Sequence, residues 1–282
     1  MSTVTARAGG MPQIELSQGT IHYRDEGTGP PVVLIHGLLV NGRVWERLVP
    51  LLSPSSRVIV PDLPLGSHPE PMKPSADLSP TGLAALIAEL IGALELDEVT
   101  LVGSDTGGAL CQLAVTGHDE RIGRLVLANC DAFEHFPPPP FDVLVKVMRR
   151  VPGAVAMLAA GGRVPAIRRR AMSMAPLTID PVPDELLESW ISPLRNRGIR
   201  RDLLKVLHGL SPALTLQAAE KLPAFRRPVR IGWGSEDNFF PFEDAERLAA
   251  LFDDARLERI ERARAFVQMD APDRLAALIQ GG

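Results

Sequence analysis

The sequence predicts an α/β protein with a mostly parallel sheet that is flanked by helices and interrupted by an all-helical insertion. Three observations lead to this prediction: short apolar runs, helix-length segments that alternate with them, and one long stretch without any strand pattern. Continuous apolar runs are typical of strands buried on both faces, and strands that alternate with helices form parallel sheets through right-handed crossovers. A chain of 282 residues is long enough to bury a sizeable core.

Two strand patterns at the start predict a hairpin, and six later patterns predict further strands. "PQIELS" and "TIHYRDEG" are joined through Gly19. The later strand patterns are "PPVVLIHG", "RVIVPDLP", "EVTLVGS", "RIGRLVLANC", "RRPVRIGWG" and "RLERI". The segment "SPTGLAALIAELIGALEL" predicts a helix that Ser79 caps, with Pro80 in its first turn. Other helix patterns are "GGALCQLAVTGH", "FEDAERLAALF" and "PDRLAALI".

The alternation of strands and helices stops after "RIGRLVLANC". The next stretch, "DAFEHFPPPPF", is too rich in proline for a helix or a central strand. Residues 141–222 show only helical patterns, among them "DVLVKVMRRV", "DELLESWISPL" and "RDLLKVLHGL". We therefore predict a core of residues 1–132 and 223–282 and a helical cap of residues 133–222. Open α/β sheets bind ligands at the carboxyl ends of their strands, and we expect the cap to lie over that edge.

Composition and charge argue against several classes of partner. The net charge of −4 gives no basic field, so we expect no nucleic-acid partner. No apolar run reaches the ~20 residues that span a bilayer, so we expect no membrane partner. The start, "MSTVTARAGGMPQ", lacks the apolar core of a signal peptide, which predicts a cytoplasmic protein. Cys111 and Cys130 have no metal-type spacing and are interpreted as buried apolar residues.

The stretch "LVGSDTGGAL" (101–110) carries the strongest functional signal, because it follows a buried strand and opens a helix. A sharp bend between strand and helix strains its central residue and allows only small residues two positions before and after it. Ser104 has Val102 and Thr106 at those positions, which would clash. Asp105 has Gly103 and Gly107 and fits, so the elbow is predicted to present a carboxylate. A plain glycine loop and a phosphate-binding loop are the alternatives, but no lysine follows for the second.

These motifs resemble those of the α/β-hydrolase superfamily, in particular its aspartate-nucleophile branch, which holds haloalkane dehalogenases and epoxide hydrolases. The resemblance covers nearly the whole chain and rests on the stretches "HGLLVNGRVW", "PDLPLGS", "GSDTGG", "GWGSEDNFFP" and "FVQMDAPDRL". It implies an α/β-hydrolase fold with a helical cap. We expect a small-molecule substrate, no metal and no cofactor, and either a monomer or a homodimer.

The resemblance also implies roles for individual residues. The backbone N–H groups of Leu38 and Thr106 correspond to the oxyanion hole of the family. His36 is interpreted as a structural residue of the same loop or, alternatively, as a substrate-binding one. Asp237 matches the acid that orients the catalytic base, with Glu236 as its lesser rival. Asp131 is the other position at which this branch places that acid.

The catalytic base is where the sequence departs from the family. In the family, the carboxylate forms an alkyl ester that a histidine-activated water hydrolyses. Ala265 occupies the histidine position, and none of the six histidines lies in the last quarter of the chain. Arg264 is beside the gap, but a guanidinium stays protonated and is no base at neutral pH. His135 and His208 are interpreted as surface or packing residues that reach a pocket only from the cap.

Side chains that stabilise particular leaving groups in relatives are also missing from their positions. The only tyrosine is Tyr23, in an early strand, whereas epoxide-opening relatives use cap tyrosines. Thr106 and Leu38 occupy the positions that hold halide donors in dehalogenases. Trp190 is predicted to offer a ring N–H to the substrate or to pack in the cap, and His208 is the other cap candidate for substrate binding. The methionines predicted to line the pocket are Met148, Met157, Met172 and Met174.

Three functional hypotheses remain open at this point. The first is a hydrolase-type enzyme with Asp105 as nucleophile or acid–base group, acting on a small to medium apolar metabolite. The arginine-rich cap segments "MRRV", "IRRRAM" and "RNRGIRRD" are a solvated face or attract an acidic substrate. The second is a non-hydrolytic lyase, isomerase or cyclase on the same scaffold. The third is an inactive small-molecule binder, and a His-to-Ala change that traps an intermediate fits the same residues.

Overall fold

The computed structural model describes residues 4–5, 11–118, 120–174 and 176–281, with the side chains of residues 4–5 and 171–174 outside that description. The strands are β1 (Val4–Thr5), β2 (Gln13–Leu16), β3 (Gly19–Glu26), β4 (Pro31–Ile35), β5 (Arg57–Pro61), β6 (Val99–Asp105), β7 (Ile122–Cys130), β8 (Val229–Gly234) and β9 (Ala255–Ile260). The helices are α1 (Val49–Leu52), α2 (Pro80–Ala93), α3 (Thr106–Val115), α4 (Phe141–Arg150), α5 (Ala154–Gly161), α6 (Pro165–Met174), α7 (Asp184–Ile191), α8 (Arg197–Gly209), α9 (Pro212–Lys221), α10 (Phe242–Ala249), α11 (Val267–Asp270) and α12 (Pro272–Gln280). Short 3₁₀ helices cover Gly42–Trp45, Ser192–Arg195 and Leu222–Ala224.

The strands of the described residues form one sheet in the order β1-β2-β3-β5-β4-β6-β7-β8-β9. Strands β1, β2 and β3 run antiparallel to their neighbours, and β5, β4, β6, β7, β8 and β9 run parallel to one another. The mostly parallel sheet predicted from the sequence is confirmed, including the hairpin in which Leu16 pairs with Gly19. The short strand β1 was not predicted.

The order of the strands explains where a site can form. Strand β6 lies between β4 and β7, with Ile35 level with Gly103 and Asp105 level with Cys130. Since these three strands are parallel, the loops at their carboxyl ends leave the sheet side by side. The loop after Ile35, the elbow at Asp105 and the residue after Cys130 therefore meet at one edge.

One helix cap and both cysteines are as predicted from the sequence. The Ser79 side chain accepts a hydrogen bond of 3.2 Å from the Gly82 N–H and so caps helix α2. Cys111 and Cys130 are free thiols buried in the core, as interpreted from the sequence.

The insertion between β7 and β8 is helical in its described residues, with α4 to α9 and no strand. Three of these helices, α4, α7 and α8, contain the helical patterns singled out in the sequence, whereas α5, α6 and α9 were not singled out. Leu187, Leu194 and Ile199 of the insertion belong to the same hydrophobic cluster as the sheet residues. The insertion is thus packed against the sheet layers and is not separated from them. No helix in the described ranges has the length and apolarity needed to cross a bilayer.

Candidate active site

Asp105 stands at the bend between β6 and α3, where the sequence predicted a strained turn. Its backbone has φ 56° and ψ −137°, which a non-glycine residue rarely adopts, so the strain is confirmed. A Cβ at Gly107 would overlap the carbonyl oxygens of Ile35 and His36. A Cβ at Gly103 would lie 2.7 Å from the Gly107 carbonyl oxygen. Glycine is therefore required on both sides of the bend by close approach of the backbone.

Two backbone N–H groups face the Asp105 carboxyl group. The Thr106 N–H donates to Asp105 Oδ1, and the Leu38 N–H also hydrogen-bonds to the carboxyl. Gly37 makes the second contact possible, because a Cβ there would overlap Asp105 Cγ. Helix α3 begins at Thr106, so its positive end also favours negative charge at Asp105. The two amides expected to form an oxyanion hole thus converge on one group.

Asp131 follows β7 and lies beside the elbow. Its Oδ2 accepts a hydrogen bond of 3.0 Å from the Thr106 hydroxyl, and its Oδ1 is buried with no hydrogen-bond partner in the described structure. Gln112 donates to the Asp131 carbonyl oxygen over 2.9 Å and holds the backbone of this loop in place. The Asp131 N–H lies 3.4 Å from the Asp105 carbonyl oxygen. One threonine therefore connects two buried carboxyl groups.

The two carboxyl groups change each other's protonation. Burial raises the pKa of Asp105 above its ordinary value, while the N–H groups of Thr106 and Leu38 act in the opposite direction. Burial, and then the negative charge of Asp105, raise the pKa of Asp131 well above its ordinary value. Like charges that share a buried site do not ionise together. The pair consequently favours a state in which the two carboxyl groups share one proton.

Both carboxyl groups line a cavity of about 360 Å³ between the sheet edge and the helical insertion. Its polar residues are Asp105, Thr106, Asp131, Arg168 and Trp190. Its apolar residues include Leu38, Leu39, Val40, Phe240 and Phe266 from the sheet side and Phe141, Leu144, Val145, Met148, Met157, Leu158, Ile167, Leu187 and Ile191 from the insertion. Met148 and Met157 thus lie where expected, and the side chains of Met172 and Met174 lie outside the described residues. Ser104 is turned away from this cavity, with its hydroxyl 3.3 Å from Gln268 Oε1.

Two side chains of the insertion that line the cavity each carry a buried donor without a hydrogen-bond partner. Trp190 is buried, its ring meets Phe266 edge to face at 6.0 Å, and its Nε1 has no hydrogen-bond partner. The Arg168 side chain is 7% exposed and forms an ion pair of 2.5 Å with Glu188, while its Nε has no partner. Arg168 was not singled out from the sequence. It is the first of three successive arginines, Arg168 to Arg170. Only the rotation of α6 about its axis decides which of the three faces the cavity.

His36 and His208 are not among the described residues that line the cavity, which contradicts their interpretation as substrate-binding residues and fits the alternative of a structural or surface role. His36 is buried, its Nδ1 bonds to the Gly37 carbonyl oxygen at 2.9 Å and its Nε2 accepts from the Leu63 N–H at 2.9 Å. Burial also lowers the His36 pKa to about 4, which keeps the ring neutral. His208 is exposed and bonds to the Leu204 carbonyl oxygen at 2.6 Å. Both rings serve the local backbone.

Asp237 lies outside the cavity lining, in the turn after β8. Its Oδ2 accepts a hydrogen bond of 2.5 Å from Asn129, and its Oδ1 accepts one of 2.8 Å from the Phe239 N–H. Burial raises the pKa of Asp237 to about 6, although these hydrogen bonds lower it. The described structure records no bond between Asp237 and Asp105. Asp237 is thus half-buried and engaged with its own turn.

Ala265 is fully buried, and the loop around it is bonded to the insertion. The Phe266 N–H donates to the Leu177 carbonyl oxygen over 2.9 Å. Arg264 donates to the Thr178 carbonyl oxygen over 3.0 Å, which bonds its guanidinium to the insertion. Asp270 accepts from the N–H groups of Arg264 and Ile179, each over 2.9 Å.

No histidine is among the described residues that line the cavity. His135 bonds to Asp244 at 2.6 Å and His22 to Glu70 at 3.1 Å, both outside the cavity. Glu134, His135 and Asp244 place one potential metal ligand each within 4.8 Å of the others. Arg247 donates to both carboxylates of this group, so a guanidinium already supplies the positive charge there.

Comparison with known proteins agrees with this architecture. A family model described as the alpha/beta hydrolase fold matches residues 30–272. Haloalkane dehalogenase 2 of Mycobacterium tuberculosis is 28% identical over 274 residues, which cover 93% of this chain and 91% of the dehalogenase. The structure of a haloalkane dehalogenase from Bradyrhizobium elkani has a TM-score of 0.75 at 20% identity, over 100% of this chain and 98% of that one. A meta-cleavage product hydrolase from Pseudomonas fluorescens has a TM-score of 0.74 at 24% identity, over 92% of each chain. At these identities the two structures show a shared fold alone.

Proposed function

The chain belongs to the α/β-hydrolase fold family, and within it we propose an enzyme that moves a proton on an apolar carbonyl compound through Asp105 and Asp131. The single observation that carries this proposal is the pair of buried carboxyl groups, connected by Thr106 and open to one apolar cavity. Such a pair combines an ionised base with a neutral acid at the same pH.

The proposed roles follow from the different surroundings of the two acids. Asp105 faces two backbone N–H groups and a helix N-terminus, which favour its ionised form and make it the base. Asp131 lacks such donors apart from the Thr106 hydroxyl, and the charge of Asp105 raises its pKa further, which makes it the acid. Asp105 takes the proton from carbon beside a carbonyl group, and Asp131 donates its proton to the carbonyl oxygen. An isomerisation, elimination or C–C cleavage begins with this enol.

The substrate class follows from the cavity. A volume of about 360 Å³ with a mostly apolar wall suits a small to medium apolar molecule. The unpaired Nε1 of Trp190 and Nε of Arg168 are donors for one acceptor group of that molecule. We also propose that α4 to α9 act as the cap predicted for residues 133–222. The contribution of both the insertion and the sheet edge to one cavity supports this division.

Hydrolysis through a covalent ester of Asp105 is the second candidate. The amides of Thr106 and Leu38 at the Asp105 carboxyl favour it, because an ester carbonyl there would have its oxyanion donors in place. Hydrolysis of that ester needs a base, which typically contributes a factor of about 10²–10⁴. No described histidine supplies one at the cavity, and this is why we rank hydrolysis second.

Hydrogen exchange tests the proposal without knowledge of the natural substrate. The enzyme is incubated in D₂O with a panel of apolar ketones (2-octanone, cyclohexanone, acetophenone), and NMR follows loss of the hydrogens beside the carbonyl. We expect exchange with the wild type and a loss of at least about 10² in Asp105→Asn. Ser104→Ala is the matched control, because Ser104 neighbours the base but bonds to Gln268.

The other outcomes separate the alternatives. Exchange that persists in Asp105→Asn would assign it to another group and refute the proposal. Solvent ¹⁸O in the product of an ester or haloalkane, together with an Asp105 adduct in the mass spectrum and no ketone exchange, would establish the hydrolytic candidate. Equal ligand affinity of wild type and Asp105→Asn, with no turnover of either kind, would indicate a binding protein.

A further inference from the structure

Large apolar side chains that remain exposed are concentrated on one part of the described chain. Seven of them lie on or beside α4, α5 and α6, and we call them the mouth patch: Val143, Leu144, Val147, Val151, Met157, Val164 and Ile167. Elsewhere the described residues show Met11 and Leu216 as the comparable exposed side chains. Met157 is 72% exposed, which is a high value for an apolar residue of this size. Contiguous exposed apolar surface marks an interaction site more often than isolated residues do.

Helix α4 shows that this exposure is not the edge of ordinary packing. Val145 and Met148 are its buried side chains and point to the cavity. Val143, Val147 and Val151 follow one another at four-residue spacing and form a second apolar stripe on a different side. A helix that only covers a cavity needs one apolar stripe. The second stripe has no partner within the described chain.

Three members of the mouth patch belong to the cavity wall as well. Leu144 from α4, Met157 from α5 and Ile167 from α6 are exposed and also line the cavity. Three helices therefore bring apolar side chains to the same opening. Apolar surface continues from the outside of the protein into the wall above Asp105.

Positive charge accompanies the mouth patch. Residues 141–170 contain seven Lys or Arg and a single acidic residue, Asp142, in a chain whose total net charge is −4. The exposed basic residues are Lys146, Arg149, Arg150, Arg163, Arg169 and Arg170. Lys146, Arg168 and Arg169 form ion pairs with Asp142, Glu188 and Asp184, and the seven basic residues of this segment outnumber these three acids. The charge of this surface is thus opposite in sign to that of the whole protein.

We propose that the mouth patch docks on a membrane surface that contains anionic lipids. In this arrangement the apolar side chains enter the boundary between head groups and acyl chains, and the Lys and Arg side chains contact the lipid phosphates. A second copy of the chain is a poorer occupant, because a symmetric dimer through this patch would place its positive charges opposite one another. The docking reverses the expectation from the sequence that no membrane takes part. It is independent of the reaction at Asp105.

Co-sedimentation of the full chain with lipid vesicles tests the docking. We expect about tenfold more protein bound to phosphatidylcholine vesicles that contain phosphatidylglycerol than to phosphatidylcholine alone, and weaker binding at high salt. The double variant Val147→Asp/Met157→Asp should lose this binding. Leu216→Asp is the matched control, since Leu216 is 42% exposed on α9 outside the mouth patch. Asp105→Asn should bind like the wild type, which separates this result from the test of the proposed function.

Three outcomes would overturn the inference. The first is absence of binding to the anionic vesicles, and the second is binding that the double variant retains. The third is a dimer in analytical ultracentrifugation that the double variant dissociates, because it would assign the patch to a second copy.

Discussion

The elbow at residues 101–110 and the loop at 261–270 leave the same edge of the sheet but place their acidic side chains in different surroundings. Asp105 is strained, buried and open to a cavity, and it has a second carboxyl group beside it. Asp270 has each carboxylate oxygen paired with a backbone N–H, one of them from Ile179 in the insertion. Burial raises the pKa of both acids, so the pKa alone does not separate them. Asp270 joins two chain segments, whereas Asp105 is on a strained backbone and open to a cavity, where it is available for chemistry.

The two regions also differ in what their hydrogen bonds hold. The loop with Ala265 is bonded to residues 177–179 through Arg264, Phe266 and Asp270. Its hydrogen bonds connect the core to the insertion, and none of them reaches Asp105. The elbow has the strained backbone and the close glycine contacts predicted for it, while the loop bonds the sheet to the insertion.

Asp131→Asn should give the largest effect, because it removes the proposed acid and preserves the shape of the side chain. We expect ketone exchange to fall by about 10². In the wild type the rate should rise as Asp105 ionises and fall as Asp131 loses its proton. Since burial raises both pKa values, this maximum should lie above the range of an exposed aspartate. The variant should lose the fall at high pH.

Rate profiles of Asp131→Asn and Asp270→Asn from pH 4 to 10 check this expectation. Asp270→Asn is the control, since Asp270 is an acid of the loop that does not line the cavity. An unchanged profile in Asp131→Asn would remove that residue from the proposed mechanism.

Ala265→His tests whether the loop still has room for a base. Ala265 is fully buried, so we expect overpacking to lower the free energy of unfolding by about 1–3 kcal/mol. We expect no gain of ester or haloalkane hydrolysis. Ala263→His is the matched control, because Ala263 is equally buried in the same loop. A gain of turnover that only Ala265→His shows would mean that the imidazole reaches Asp105, and it would favour the hydrolytic candidate.

Asp270→Asn should lower the stability by about 1–2 kcal/mol more than Asp105→Asn does. Both variants remove a carboxylate whose pKa burial raises, and both leave one of two backbone N–H groups without its acceptor. Only Asp105 has a second buried carboxyl group beside it, so a neutral amide there also removes a like-charge interaction with Asp131. At position 270 the amide instead loses the attraction of the Arg264 guanidinium. Urea unfolding at pH 8 measures both changes, and a greater loss in Asp105→Asn would contradict the comparison.

Asp237 should make a smaller contribution to the stability of the folded protein, and this contribution should depend on pH. Its pKa is about 6 in the folded protein against an ordinary value of 3.8. Between these values the folded chain holds more protons than the unfolded chain, so stability falls as the pH rises from about 4 to 6 and then stays level. We expect a loss of about 1 kcal/mol over this window, because the group is only half-buried. Asp237→Asn should remove this fall of stability between pH 4 and 6. Urea titrations of both proteins at several pH values measure the fall, and an equal fall in the variant would contradict the role of Asp237.

The sequence was most informative where local spacing controls the backbone. The strand patterns, the Ser79 cap and the elbow were predicted from residues that are neighbours in the chain. The sequence predicts Asp105, and not Ser104, at the centre of the bend because only Asp105 has glycine two positions away on each side. The close approaches at Gly103 and Gly107 confirm that the bend requires glycine there. The family model over residues 30–272 confirms the superfamily, but the branch with an aspartate nucleophile stays a prediction.

The sequence was least informative about which side chains share the cavity. One of the two interpretations of His36 and His208 placed them there, but both bond to backbone elsewhere, whereas Arg168 was not expected and lines the wall. Trp190 does line it, as one of its two predicted interpretations required. The direction of a helical side chain depends on how the helix is rotated against its neighbours, which no local pattern specifies.

By itself, the sequence predicted most of the strands and helices in their order and the strained carboxylate at Asp105, and it has alanine at position 265, where the resemblance implies a histidine. These follow from chain spacing, the bulk of adjacent residues and the identity of single positions. Only the tertiary structure decided that Asp131, and not Asp237, joins Asp105, and that the loop of Ala265 bonds to the insertion. The reason is that burial and pairing of a charge arise from residues far apart in the chain, which meet only when the parallel strands align their carboxyl ends.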